Sequence, residues 1–201
     1  MSPGAALGLL LAYVVGSLTF ATILVRVATG RDVRSLGSGN AGATNVLRTS
    51  GKSLALAVLL LDALKGVFGA SLLAVLTHDA RYTAAGGFAA VLGHVFPCFF
   101  QFRGGKGVAT AVGAFAVIAP VPLAAMFVVF GLLVALTRYV SLGSVTTAVL
   151  MPFAVAGWQR SFGPTFLTAA AIALLLVFSH RANLVRLYRG EERKLGRLEP
   201  A

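Results

Sequence analysis

Carboxylates are scarce in this chain: six Asp and Glu stand against seventeen Lys and Arg, for a formal net charge of +11. Asp32, Asp79, Glu191, Glu192 and Glu199 are scattered and form no ligand constellation, so no metal site is expected. Cysteine is scarcer still. Cys98 alone allows neither an intrachain disulfide nor a thiolate cluster. Its neighbours Val95, Phe96, Pro97, Phe99 and Phe100 are apolar, a setting for a packed thiol and not for a nucleophile. Charge of either sign is low at 11%, against 58% hydrophobic residues, which excludes a water-soluble domain of ordinary composition. A positive n-region is missing too: Met1-Ser2-Pro3-Gly4 leads straight into an apolar run long enough to span, so no cleavable leader is expected.

What is there is a series of hydrocarbon-rich runs separated by short cationic loops. The pattern predicts an all-α integral membrane protein with helices over 4–25, 54–77, 84–100, 108–119, 121–137, 143–158 and 163–179. Runs of about 20 apolar residues suffice to cross a bilayer. Residues 108–137 form one apolar stretch broken by Pro120-Val121-Pro122; prolines this close remove donors and favour a turn. One kinked helix there would give six crossings in place of seven. Charge favours seven transmembrane helices. Arg26, Arg31, Arg34, Arg48, Lys52, Arg103, Lys106, Arg138 and the tail Arg181 to Arg197 then share one side, while the other receives Arg81 and Arg160. The positive-inside tendency puts the crowded side in the cytoplasm, with the N-terminus outside and the C-terminus cytoplasmic. The same arrangement reads the basic balance as topology, so no nucleic acid partner is expected.

Two of the cytoplasmic-side loops carry chemistry. Gly37-Ser38-Gly39-Asn40-Ala41-Gly42-Ala43-Thr44-Asn45, with Arg48 and Lys52 after it, combines backbone N–H groups freed by glycines with hydroxyls, carboxamides and cations. That mixture suits an anionic oxygen cluster such as phosphate. A flexible tether would also use Gly and Ser, but it has no need of Asn40, Thr44, Asn45 and flanking arginines. Arg103-Gly104-Gly105-Lys106-Gly107 repeats the theme before a helix, whose N-terminus adds positive character. Gly51-Lys52-Ser53 imitates the end of a Walker A loop, but Val46 stands where that pattern needs glycine.

Outside the loops, Asp62 and Lys65 share one face of the second span and are expected to pair, since isolated charge in a membrane is costly. Lys65 reaching toward the site is the alternative. His94 is expected to be a hydrogen-bonded packing residue and His78 to be solvated. His180 closes the last span, where it is either a helix-dipole partner or a group that accepts or orients a substrate proton. Gly4 with Gly8, Gly66 with Ala70, and Gly86 with Ala90 have spacing for close helix contact. The basic tail from Arg186 to Arg197, with Glu191 and Glu192 inside it, is expected at the surface against anionic lipid heads.

Several of these segments together resemble the bacterial acyl-phosphate:glycerol-3-phosphate acyltransferases. The likeness runs through Gly37-Ser38-Gly39-Asn40-x-Gly42-Ala43-Thr44-Asn45-Val46-x-Arg48, then Gly93-His94 to Gly104-Gly105-Lys106-Gly107-Val108-Ala109-Thr110. Arg138-Tyr139-Val140-Ser141-Leu142 and His180-Arg181-x-Asn183 complete it, in family order across nearly the whole chain. The resemblance implies a single transmembrane acyltransferase domain over 1–201 in the bacterial inner membrane. Such an enzyme moves a fatty acyl group from acyl phosphate to the first hydroxyl of glycerol 3-phosphate, giving lysophosphatidic acid and phosphate. It implies no cofactor, because the mixed anhydride is already activated. Membrane lipids and the soluble enzyme that forms acyl phosphate are the implied partners. Ser38, Lys106 and His180 are the implied catalytic residues. Gly37, Gly39, Asn40, Gly42, Thr44, Asn45, Arg48, Gly104, Gly105 and Gly107 would hold phosphate, and Ser141 or Ser144 with Asn183 would line the glycerol 3-phosphate pocket. The base is open between His180 and a substrate phosphate, with Ser38 as a covalent acyl carrier the third possibility. A transporter for a phosphorylated metabolite is the rival class, although transporters usually bind near the midplane on broken helices.

Overall fold

A computed structural model describes residues 1–196, and these fold into ten α-helices with no strand among them. Arg197 and Glu199 lie outside the described residues. The chain divides into two compact units, Met1–Ile118 and a second beginning at Ala119.

The first unit opens with α1 (Pro3–Gly16) and α2 (Phe20–Thr29). They correspond to the expected span 4–25, which is therefore broken: Ser17, Leu18 and Thr19 leave the helix in mid-run. The loop that follows holds a short helix that the hydrophobic pattern does not reveal, α3 (Ala43–Thr49). Next come α4 (Lys52–Thr77), α5 (Ala80–Val95) and α6 (Val108–Ile118). Helix α4 packs against both α5 and α6, and small residues permit it. Gly69 and Gly86 face each other so closely that a Cβ on Gly69 would stand 2.7 Å from the Gly86 carbonyl. Gly66, expected in a contact face, lies against the backbone of Thr110. A Cβ on Gly4 would meet nothing within 4 Å, so its expected role in close helix packing is not realised.

The second unit contains α7 (Pro120–Thr137), α8 (Val140–Gln159), α9 (Pro164–Ser179) and α10 (Arg181–Tyr188). The proline pair ends α6 and starts α7: Ala119, just before Pro120, leaves the helical region at φ −154° and ψ 68°, and helical backbone is disfavoured for a residue preceding proline. Two helices and not one kinked helix thus occupy 108–137. At 11 residues and about 1.5 Å per residue, α6 is short for a hydrocarbon core of about 30 Å. Five segments are individually long and apolar enough to cross a membrane, and the number rises to six if α9 and α10, bent by 60°, count as one span.

One smaller expectation is corrected. Cys98 is exposed, because Pro97 turns the chain out of α5 into a 3-10 turn at Cys98–Phe100. The tail folds back within the second unit: the Leu195 N–H donates to the Arg138 carbonyl at 2.7 Å, and Lys194 Nζ lies 5.4 Å from the Tyr139 ring centre.

Candidate active site

The first glycine-rich segment is a folded turn with a core of its own. Val33, Ala41 and Val46 are buried with Ala21, Val25, Ala55 and Val58 in one cluster beneath it. Asn45 fixes its shape. The buried carboxamide oxygen accepts the Ser38 N–H at 2.9 Å, and its nitrogen donates to the carbonyls of Leu36 at 3.0 Å and Val33 at 3.3 Å. Gly37 has φ 55°, a conformation natural to glycine, and a Cβ there would meet Asn45 Oδ1 at 2.5 Å. Ser38 is consequently displayed at the surface. Asn40 and Gly42 form the turn into α3, with the Gly42 N–H donating to the Asn40 carbonyl at 3.0 Å. Thr44 and Arg48 lie on α3 itself. Asn45, expected against phosphate, is instead engaged with the loop's own backbone.

Gly104 and Gly105 run alongside the end of α5, their N–H groups each donating over 3.2 Å to the carbonyls of Val95 and His94. Gly105 is wedged between the His94 imidazole and the Ala41 carbonyl, which a Cβ would approach to 2.6 Å. The two glycine-rich segments therefore meet at Gly105. Lys106 follows, half-buried, and Gly107 at φ 81° leads into α6. A cavity of about 330 Å³ lies where the segments meet, lined by Arg34, Gly39, Gln101, Arg103 and Gly104. Arg34 is tied to Asp32 at 2.7 Å, and its hydrogen bonds hold the Asp32 carboxyl below the usual carboxylate range. Gln101 had no sequence signal beyond its neighbourhood.

In the second unit, His180 caps α9 and begins the turn into α10. Its ring is buried, and Nδ1 lies 2.8 Å from the Leu176 carbonyl. A carbonyl only accepts, so Nδ1 carries the hydrogen and Nε2 is the nitrogen that can take a proton. Ser144 donates to the Val140 carbonyl of its own helix at 2.9 Å. Ser141 and Asn183 behave differently. Both donate to Glu192 Oε1, at 2.8 and 2.6 Å, while Arg186 Nε donates to Oε2 at 2.9 Å. The Glu192 side chain is only 5% exposed, so the tail carboxylate expected at the surface is a buried hub. Burial pushes its carboxyl up, but the bonds from Asn183, Ser141 and Arg186 outweigh that and hold it below the ordinary range.

Most of the chain matches one family. A family model described as glycerol-3-phosphate acyltransferase covers residues 6–190. The chain belongs to the glycerol-3-phosphate acyltransferase family. A glycerol-3-phosphate acyltransferase of Sinorhizobium fredii is 42% identical over 194 residues, spanning 96% of this chain and 94% of the relative. Among solved structures, PlsY, an integral membrane glycerol 3-phosphate acyltransferase, is similar in its glycerol 3-phosphate form with a TM-score of 0.89. That match is 36% identical and covers 96% of both chains. The lysophosphatidic acid form gives 0.85 at 34% identity, covering 96% of this chain and 95% of the other. With its series of long apolar helices, this family member is a multi-pass integral membrane protein.

Proposed function

We propose that the protein acylates glycerol 3-phosphate to lysophosphatidic acid, with acyl phosphate as donor. The observation that carries this reading is the likeness, over at least 95% of both chains, to an acyltransferase whose solved forms hold glycerol 3-phosphate and lysophosphatidic acid. The chain acts as a single transmembrane acyltransferase domain in the bacterial inner membrane, with seven traverses, the N-terminus outside and the chemistry on the cytoplasmic side. The bias of Lys and Arg toward one set of loops supports that orientation.

The reaction asks little bond-making of the protein. The primary hydroxyl oxygen attacks the acyl carbon, and a tetrahedral oxyanion forms. The carbon–oxygen bond to phosphate then breaks, and inorganic phosphate leaves with the electron pair. The hydroxyl proton passes to His180 Nε2 or to the departing phosphate. The protein's tasks are to hold two anions, orient the hydroxyl and stabilise the oxyanion. Ser38, Lys106 and Arg48 are assigned to phosphate and oxyanion, with Gly37, Gly39, Asn40, Gly42, Thr44, Gly104, Gly105 and Gly107 shaping the cradle. Ser141, Ser144 and Asn183 are assigned to glycerol 3-phosphate. The soluble enzyme that makes acyl phosphate is the partner that supplies the donor.

The decisive assay supplies purified protein with glycerol 3-phosphate and either acyl phosphate or acyl-CoA, and measures lysophosphatidic acid and inorganic phosphate. Product from acyl phosphate alone is expected; product from acyl-CoA alone overturns the donor assignment. Replacing His180 by Ala should lower turnover by about 10²–10⁴-fold, the usual worth of a general base.

A further inference from the structure

Behind the second glycine-rich segment lies a charged cluster that the reaction described above does not use. Lys65 Nζ is 2.9 Å from Asp62 Oδ1, with both side chains at most 2% exposed. The same ammonium donates to the Leu18 carbonyl at 2.8 Å, inside the break between α1 and α2, and lies 5.6 Å from the Phe20 ring centre. The same Asp62 Oδ1 faces His94 Nδ1 at 3.5 Å; the imidazole is 4% exposed and packed as expected, but its Nδ1 makes no hydrogen bond. The far edge of that ring, Nε2, abuts Gly105.

The cluster thus joins three elements to one turn. Helix α4 supplies Asp62 and Lys65, the α1–α2 break supplies a carbonyl freed from helical bonding, and α5 supplies His94. The imidazole then presses Gly105 toward the Ala41 carbonyl of the first glycine-rich segment. A lysine and a carboxylate buried in a membrane protein are costly unless paired, and simple packing of α4 on α5 needs neither. What they add is a carboxylate against one edge of the His94 ring, whose other edge abuts the residue before Lys106.

We propose that Asp62, Lys65 and His94 are positioning residues: the ion pair backs the imidazole through a close carboxylate contact, and the imidazole sets the Gly105–Lys106 turn against the first glycine-rich segment. This rests on the reading of Lys106 as a ligand of a phosphorylated substrate. A displacement of about 1 Å in such a group can change rates by up to about 10²-fold.

The test is a double-mutant cycle between His94 and Lys106 in detergent-purified protein, with glycerol 3-phosphate and acyl phosphate varied in turn. His94→Ala is expected to raise KM about tenfold for the same substrate whose KM rises in Lys106→Met. Added to Lys106→Met, it should cost less than about twofold more, since the two act through one contact. His94→Gln keeps bulk behind Gly105 and should shift the same KM by only about threefold. It also serves as the probe if His94→Ala does not fold. Where turnover of Lys106→Met is too low to follow, calorimetric binding of glycerol 3-phosphate and of an acyl phosphonate completes the cycle. Unchanged KM in both His94 variants overturns the proposal, as does a shift in the other substrate or an equal loss in the Lys106→Met background. If the wild-type protein forms no product from acyl phosphate, the functional reading fails instead. If it does, and Lys106→Met alone is impaired, only the positioning role fails.

Discussion

Each unit buries a carboxylate, and the two are satisfied in different ways. Asp62 sits in the middle of a 26-residue helix and takes a full ionic partner, Lys65, on the same helix face. Glu192 sits near the chain end and takes a hydroxyl, a carboxamide and a guanidinium from three separate positions. Within hydrocarbon a lone charge is expensive enough to demand its counter-ion close in sequence. Near a helix end, hydrogen-bond donors distant in sequence can gather around a charge and still leave Arg186 partly exposed, at 37%. The first arrangement fixes one helix to its neighbours. The second draws together Ser141, Asn183 and Arg186 after the chain has folded back.

The largest effect should come from breaking the first arrangement asymmetrically. Lys65→Met leaves Asp62 buried without its counter-ion, and removal of one partner from a buried pair typically costs about 3–5 kcal/mol. The double variant Asp62→Leu with Lys65→Met removes the charge altogether and should recover most of that loss. Chemical unfolding in detergent measures both. Equal destabilisation of the single and double variants would mean that packing, and not uncompensated charge, dominates there.

A smaller loss is expected at Glu192. Glu192→Ala leaves the donors of Ser141 and Asn183 without their acceptor, about 1–3 kcal/mol for buried polar groups. Glu192→Gln retains an acceptor oxygen and should cost less. Because Ser141 and Asn183 are assigned to glycerol 3-phosphate, the alanine variant should also raise its KM, by about tenfold on a loss near 1.4 kcal/mol. Steady-state kinetics with acyl phosphate held saturating gives the answer. An unchanged KM would show that the hub braces the tail only.

The contrast explains what could be read from the sequence. Asp62 and Lys65 stand three positions apart inside an apolar run, and helical geometry alone pairs them. The apolar runs likewise located α4, α7, α8 and α9 to within a few residues, because lipid-length hydrophobicity is a property of each segment by itself. Glu192 offered no such clue. Its contact with Ser141 spans 51 positions, and in a tail crowded with Arg and Lys a glutamate reads as a solvated neighbour. Asn45 shows a subtler limit. Its place among glycines marked a polar turn correctly, but only the fold shows that the carboxamide turns inward to Leu36 and Val33 and not outward to a ligand. The break at Ser17–Thr19 was hidden because the residues around it remain apolar. The freed Leu18 carbonyl is answered by Lys65, 47 positions away.

The least effect belongs to Asp32 and Arg34, which supply an exposed counterpart to both hubs. They pair at 2.7 Å with side chains about one third exposed, and pairs in that setting are worth about 0–1 kcal/mol and weaken with salt. The Asp32 carboxyl is held below its ordinary value of 3.8, first by the Arg34 side-chain hydrogen bond. A depressed folded-state value means that the native form releases the proton more readily than the unfolded chain. The stabilisation is therefore complete above the ordinary value and fades as pH falls through the folded one. Glu192 has the same sign, from its ordinary value of 4.5 downward. Unfolding curves collected from neutral pH down to about pH 3 should accordingly show Glu192→Gln diverging from wild type most at neutral pH and converging on acidification. Asp32→Asn should follow the same trend with a smaller amplitude that high salt removes. A salt-insensitive Asp32→Asn effect as large as that of Glu192→Gln would erase the distinction between an exposed pair and a buried hub.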